Sequence, residues 1–205
     1  MGKIRLTKGE LKNRRDALGQ YLRYLPTLQL KKQQLQMEIL HQVSALEEKK
    51  RAQAVKFADV KKWAGLMVNL TMNIRLWTAP LAVTTDVRNI AGVDMPVFVR
   101  AIFNESDYDL YVTPFWLDNA VESLKVLASL GQEIRVIERG IAILREELRI
   151  TTQRVNLFEK VKIPEAREAI RKIKIYIGDQ MTNAVGRSKI AKKKIEFAEL
   201  QAESL

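Results

Sequence analysis

Two long runs of seven-residue hydrophobic repeats constrain this chain more than any other feature. In the second half, Leu127, Ile134, Ile141, Leu148 and Val155 recur every seventh residue, interleaved with Leu130, Ile137, Leu144, Thr151 and Phe158. A register held that long favours a coiled coil over an ordinary globular helix, because a strict seven-residue repeat keeps one seam facing a partner helix. The first half carries a second, more polar seam: Leu11, Leu18, Leu25, Lys32, Ile39 and Leu46, with Arg14, Tyr21, Leu28, Leu35 and Gln42 as companions. Two amphipathic arms of similar length bury each other's seams most simply by folding back. The expected fold is therefore all-α, a long antiparallel two-helix coiled coil with a small β-hairpin-like cap between the arms.

Local signals set the boundaries. Thr7 followed by Glu10 has capping-box spacing and places the first helix start near residue 8. Pro26 lies inside the heptad pattern and predicts a kink or short break near Tyr24 and Leu25, with the helix resuming to about Leu76. Pro164 predicts a bend in the second arm, after which Ile170, Ile173 and Ile177 restart the apolar face. Between the arms the character changes: Pro80, Gly92, Pro96 and Pro114 punctuate two β-prone runs, residues 82–87 and 96–103. Residues 104–109 supply turn formers. The expected division is an N-terminal coiled-coil arm over 1–76, a cap with short strands over 77–114 and a C-terminal arm over 115–205. At about 1.5 Å per residue, the paired arms would extend on the order of 100 Å.

Site chemistry is sparse. The chain has no cysteine and one histidine, His41, so thiolate chemistry and histidine-rich metal sites are excluded. Neither a GxxxxGK[ST] phosphate loop nor a GxGxxG fingerprint occurs. Carboxylate pairs such as Glu146 with Glu147 sit beside basic residues in heptad segments, where flanking ion pairs are their ordinary use. Glu105, Asp107 and Asp109 resemble the start of a calcium loop but lack its central glycine and closing glutamate. No catalytic, metal or cofactor site is expected. The charged amino terminus is unlike a secretory signal, and Asn69, Asn73, Arg75 and Pro80 interrupt the most apolar stretch; a cytosolic protein without a membrane span is expected.

The formal net charge of +11 points to an acidic partner. Basic residues gather at both chain ends: Lys3, Arg5, Lys8, Lys12, Arg14 and Arg15 at the start, and Arg187, Lys189, Lys192, Lys193 and Lys194 near the finish. An antiparallel hairpin brings both clusters to one tip as a candidate binding surface. Trp77 and Trp116, with Trp63 nearby, fall close to the cap as candidate anchors for packing or for a partner. Nucleic acid is disfavoured because Phe197 is the sole aromatic residue available for base stacking in the basic tail.

The segments LTKGELKNRRDAL and QRVNLFEKVKIPEAREAIRKIKIYIGDQ are similar to those of the D subunits of V-type (archaeal and bacterial A/V-type) ATPases. The resemblance covers essentially the whole chain. It is carried by Thr7, Lys8 and Leu11, by Arg154, Val155, Asn156 and Glu159, and by Ile163 with Pro164. It implies a non-catalytic rotor subunit of the central stalk, coupling ATP hydrolysis or synthesis to proton or sodium-ion transport. The implied partners are the A and B subunits of the catalytic hexamer, which receives the paired terminal helices, the F subunit on the lower shaft, and a membrane-proximal coupling subunit at the other end. Pro26, Lys160 and Lys162 depart from the family pattern, which keeps an unbroken helix at the first position and a more apolar run before the proline. The alternative is a stand-alone coiled-coil adaptor or a nucleic-acid-binding helical hairpin.

Overall fold

A computed structural model describes residues 5–69, 72–105, 107–108, 111 and 113–202. In chain order these form α1 (Lys8–Trp63), a 3₁₀ turn (Ala64–Asn69), α2 (Arg75–Thr78), β1 (Pro80–Ile90), β2 (Val93–Phe103), α3 (Leu117–Leu157), a π turn (Phe158–Lys162) and α4 (Ile163–Ala202). The chain divides into two compact units, one of residues Leu30–Thr152 and one formed by Met1–Gln29 with Gln153–Leu205.

The amino end of α1 uses the signal seen in the sequence: Glu10 donates its backbone N–H to Thr7 Oγ1 at 3.2 Å, and the Glu10 carboxylate is taken by Arg14 Nε at 2.7 Å. The short break expected near Pro26 does not occur: α1 runs unbroken for 56 residues with the proline inside it. The proline removes the donor that would serve the Leu22 carbonyl, but Leu22 is exposed, so water can replace it. The Thr27 hydroxyl, one residue on, donates to Tyr24 O at 2.8 Å. The helix also ends earlier than Leu76. Gly65, a poor helix former two residues past Trp63, lies in the 3₁₀ turn into which the chain tightens before α2.

In the unit of residues 30–152, α1 and α3 run antiparallel, flanked by the ion pairs Lys31–Glu147 (2.9 Å), Lys49–Glu133 (2.9 Å) and Lys50–Glu138 (2.7 Å). These pairs are partly exposed, and each contributes no more than about 1 kcal/mol. The heptad reading of α3 holds along its length. Ile134, Ile141, Leu144, Thr151 and Val155 are buried, and the five remaining seam residues are half-buried.

The hairpin is longer than its sequence signal, with 11 residues in each strand. Its turn is Ala91–Gly92, at φ 52° and 76°. Two left-handed residues in succession make the tight turn that matches strand twist. Asn89 fixes it, accepting the Gly92 N–H at 3.1 Å and donating to Asp94 Oδ1 at 2.6 Å. The register skips at Leu81 in β1 and at Val99 in β2, and both of these unpaired residues are exposed.

The hairpin does not merely join the arms; it lies back along them. Val93 and Met95 near its tip form a buried cluster with Leu35 of α1 and Leu144 of α3, edged by Ile39, Ile90, Ala91 and Leu148. Strands spanning about 35 Å reach this point from the end of α1, roughly 40 Å of helix away. Gly140 makes the approach possible. A Cβ there would lie 2.9 Å from Met95 Cγ and 3.0 Å from Sδ, closer than real Cβ contacts come.

In the other unit, the Tyr21 and Phe158 rings meet at 5.3 Å, and Val155, Ile163, Ala166, Ala169 and Ile173 are buried. The interruption expected around Pro164 is the π turn, in which Ile163 donates its N–H to Phe158 O. Pro164 then falls in the first turn of α4, where no helical donor is needed. Leu144→Ala should lower the free energy of unfolding by about 2–5 kcal/mol, since the site is closed on all sides. Met37→Ala on the exposed face should change it by less than about 0.5 kcal/mol. Urea denaturation of both variants separates the two cases.

Candidate partner-binding surfaces

The basic residues singled out in the sequence fall mostly on open surface. Arg5, Lys8, Lys12 and Arg15 are exposed, and Arg14 is half-buried in its pair with Glu10; Lys3 lies outside the described residues. On α4, Lys189, Lys192, Lys193 and Lys194 are exposed. Lys192 approaches Glu196 at 3.5 Å, and Arg187 donates to Asn183 O at 3.3 Å. Both groups belong to the same compact unit.

Sequence reasoning missed the apolar share of this surface. Every residue from 178 to 197 is exposed, including Met181 (53%), Val185 (57%), Ile190 (59%), Ile195 (59%) and Phe197 (62%). The apolar stripe of α4 stops being covered after Ile177, although the sequence keeps supplying apolar residues.

At the other surface, Trp77 packs on Tyr108, ring centres 5.1 Å apart, and remains half-buried. The Tyr108 hydroxyl donates to the Asp118 carboxylate in the first turn of α3, which pushes the phenol pKa up to about 12. Desolvation adds to that hydrogen bond. Trp116 is also half-buried, and its carbonyl receives the Ala120 N–H at 3.0 Å, starting α3. The neighbouring Phe115 is 99% exposed, and Leu66, Leu76 and Leu81 are exposed as well. Glu105 and Asp107 are exposed, and Asp109 lies outside the described residues.

His41 sits 3.8 Å from Glu38 on the α1 surface. A groove lined by Gln33, Gln36, Met37, Ile39, Leu40 and Leu148 is open and apolar, with no titratable side chain among its walls. Among the described residues no helix is long and apolar enough to cross a membrane.

The pattern of the family described as the D subunit of ATP synthase matches residues 10–193. The chain belongs to this family. It is 43% identical over 195 residues to the V-type ATP synthase D subunit of Borreliella burgdorferi, covering 95% of this chain and 96% of that one. Similarity extends to the D subunits of Chlamydia muridarum, 36% identical over 202 residues (94% and 96% covered), and of Chlamydia pneumoniae, 33% over 202 residues (95% and 94%).

Tyr108 gives a pH test. Its folded pKa is raised above the usual 10.0, so the hydrogen bond's stabilisation is complete below about pH 10 and is lost as pH climbs towards 12. Wild type should therefore lose its stability advantage over Tyr108→Phe across that window, measured by alkaline thermal melts.

Proposed function

We propose that this chain is the central-stalk rotor subunit of a V-type rotary ATPase, coupling ATP hydrolysis or synthesis in a hexamer of A and B subunits to proton or sodium-ion transport. The observation that carries this reading is the family match over residues 10–193. In this reading the chain is non-catalytic and works at the cytoplasmic side of the membrane as a peripheral part of the complex.

The surface carrying Arg5, Lys8, Arg14, Arg15, Lys189, Lys192, Lys193 and Lys194 faces the hexamer. Hydrated ammonium heads on flexible stems can meet acidic loops at successive positions without one deep, desolvated minimum. Apolar side chains such as Val185 and Ile195 supply contact that does not depend on a fixed ion pair. The surface around Trp77, Phe115 and Trp116 faces the membrane-proximal coupling subunit, and the F subunit binds between these regions.

Torque transmission needs continuous side-chain packing, which the heptad seams provide. Asymmetry of the rotor then biases similar catalytic interfaces differently. That asymmetry is helped by Pro26 inside α1 and by the π turn before Pro164.

A tagged chain drawn from its own cells should bring A, B and F subunits with it, and the purified chain should hydrolyse no ATP. ATP turnover by the chain alone, or salt-dependent DNA binding in place of those subunits, would overturn the reading.

A further inference from the structure

Helices in proteins are held mainly by the packing of one face, and propensity alone leaves short segments marginal in water. In α4 these two supports part company. Residues up to Ile177 contribute Ile163, Ala166, Ala169 and Ile173 to a buried stripe, but nothing from 178 to 197 is even half-covered. Where packing ends, propensity falls too. Gly178, Thr182, Asn183, Val185, Gly186 and Ser188 are all weak helix formers. The hydroxyls of Thr182 and Ser188 bond back to the Gly178 and Ala184 carbonyls, at 3.1 Å and 3.0 Å, a habit that loosens helices. Lys192–Glu196 is the one ion pair in the stretch among the described residues, and it is exposed.

We propose that residues 178–197 are not stably helical in the isolated chain and complete α4 only on binding, so that folding of this segment is coupled to assembly. The proposal rests on the stalk reading for the identity of the partner, not for the state of the free chain. The side chains indicate what the partner must offer. At 3.6 residues per turn, Met181, Val185 and Ile195 share one side of the helix, while Ile190 and Phe197 lie on the opposite side with lysines between. A flat surface would leave one apolar side in water; a socket with apolar walls and acidic groups covers both. A segment that enters such a socket unfolded can thread a closed ring and then wrap its full circumference, at the cost of affinity per unit of contact.

Hydrogen exchange on the isolated full-length chain tests this directly. Amides of residues 179–196 should exchange at nearly unstructured rates while those of 166–175 are protected. Equal protection in both stretches would overturn the proposal. A second variant guards against a chance result. A Cβ at Gly178 or Gly186 meets nothing within 4 Å, so Gly178→Ala with Gly186→Ala adds helix propensity without steric conflict. The double variant should raise the far-ultraviolet helix signal and slow exchange in 179–196 by at least about tenfold. A helix signal and exchange rate left unchanged because wild-type 179–196 is already as protected as 166–175 would overturn the proposal. Adding the A and B hexamer should give wild-type 179–196 the same protection; a chain that co-purifies with the hexamer and gains none would also overturn the proposal. Failure to co-purify at all would instead count against the stalk reading, with the free-chain rates still deciding this one.

Discussion

The antiparallel seam between α1 and α3 carries nearly everything else in the unit of residues 30–152. Two helices alone can close only a narrow strip against water, and few side chains in it vanish from solvent completely: Leu35 and Leu144 are among them. Hydrophobic stabilisation scales with the apolar area removed from water, so a narrow seam stabilises weakly per residue and must be long to hold. The hairpin changes that balance locally. By laying Val93 and Met95 over Leu35 and Leu144 it adds a third layer to a two-helix pair and creates a cluster that is closed on all sides. Stability is therefore concentrated where the hairpin tip lands.

That concentration explains which features could be read from the sequence. The heptad positions from Leu11 to Leu46 and from Leu127 to Phe158 are half-buried or buried as the periodicity implied, because a repeat of seven reports which face meets a partner. The cap at Thr7 was equally legible, being a local hydrogen bond between near neighbours. The chain does not break at Pro26 because a proline's effect on a helix depends on whether water can reach the carbonyl it strands, which is a tertiary property. The extent of the hairpin was hidden for a similar reason. Residues 88–90 and 93–95 mix β-prone Ile90 and Val93 with Arg88, Asn89 and Asp94, and the strand reaches them where Val93 and Met95 pack on Leu35 and Leu144. Gly92 between Asn89 and Asp94 was the overlooked local sign of the turn.

The candidate surfaces divide along the same line. Charge is a property of residue type, so the exposed lysines on α4 could be anticipated from composition. The exposure of Met181, Val185 and Ile190 could not, since apolar residues in helical spacing ordinarily mean a core. Only the end of burial at Ile177 reveals that the pattern continues without anything to cover it. Trp77 shows the converse: a residue chosen as a possible anchor has a partner within the chain in Tyr108.

A repeating seam has one intrinsic weakness, since sliding one helix past the other by seven residues, about 10 Å, restores a similar set of apolar contacts. Something that does not repeat must fix the register. The Lys31–Glu147, Lys49–Glu133 and Lys50–Glu138 pairs contribute, but exposed pairs discriminate weakly. Gly140 discriminates far more strongly. After a slip of one heptad towards either end, the notch that admits Met95 would be replaced by Glu133 or Glu147, setting a charged side chain against the hairpin's apolar tip. Glycine in mid-helix costs roughly 1 kcal/mol relative to alanine. Here that cost is offset by a register in which the notch and the hairpin tip meet, so the two helices of the seam are held against sliding.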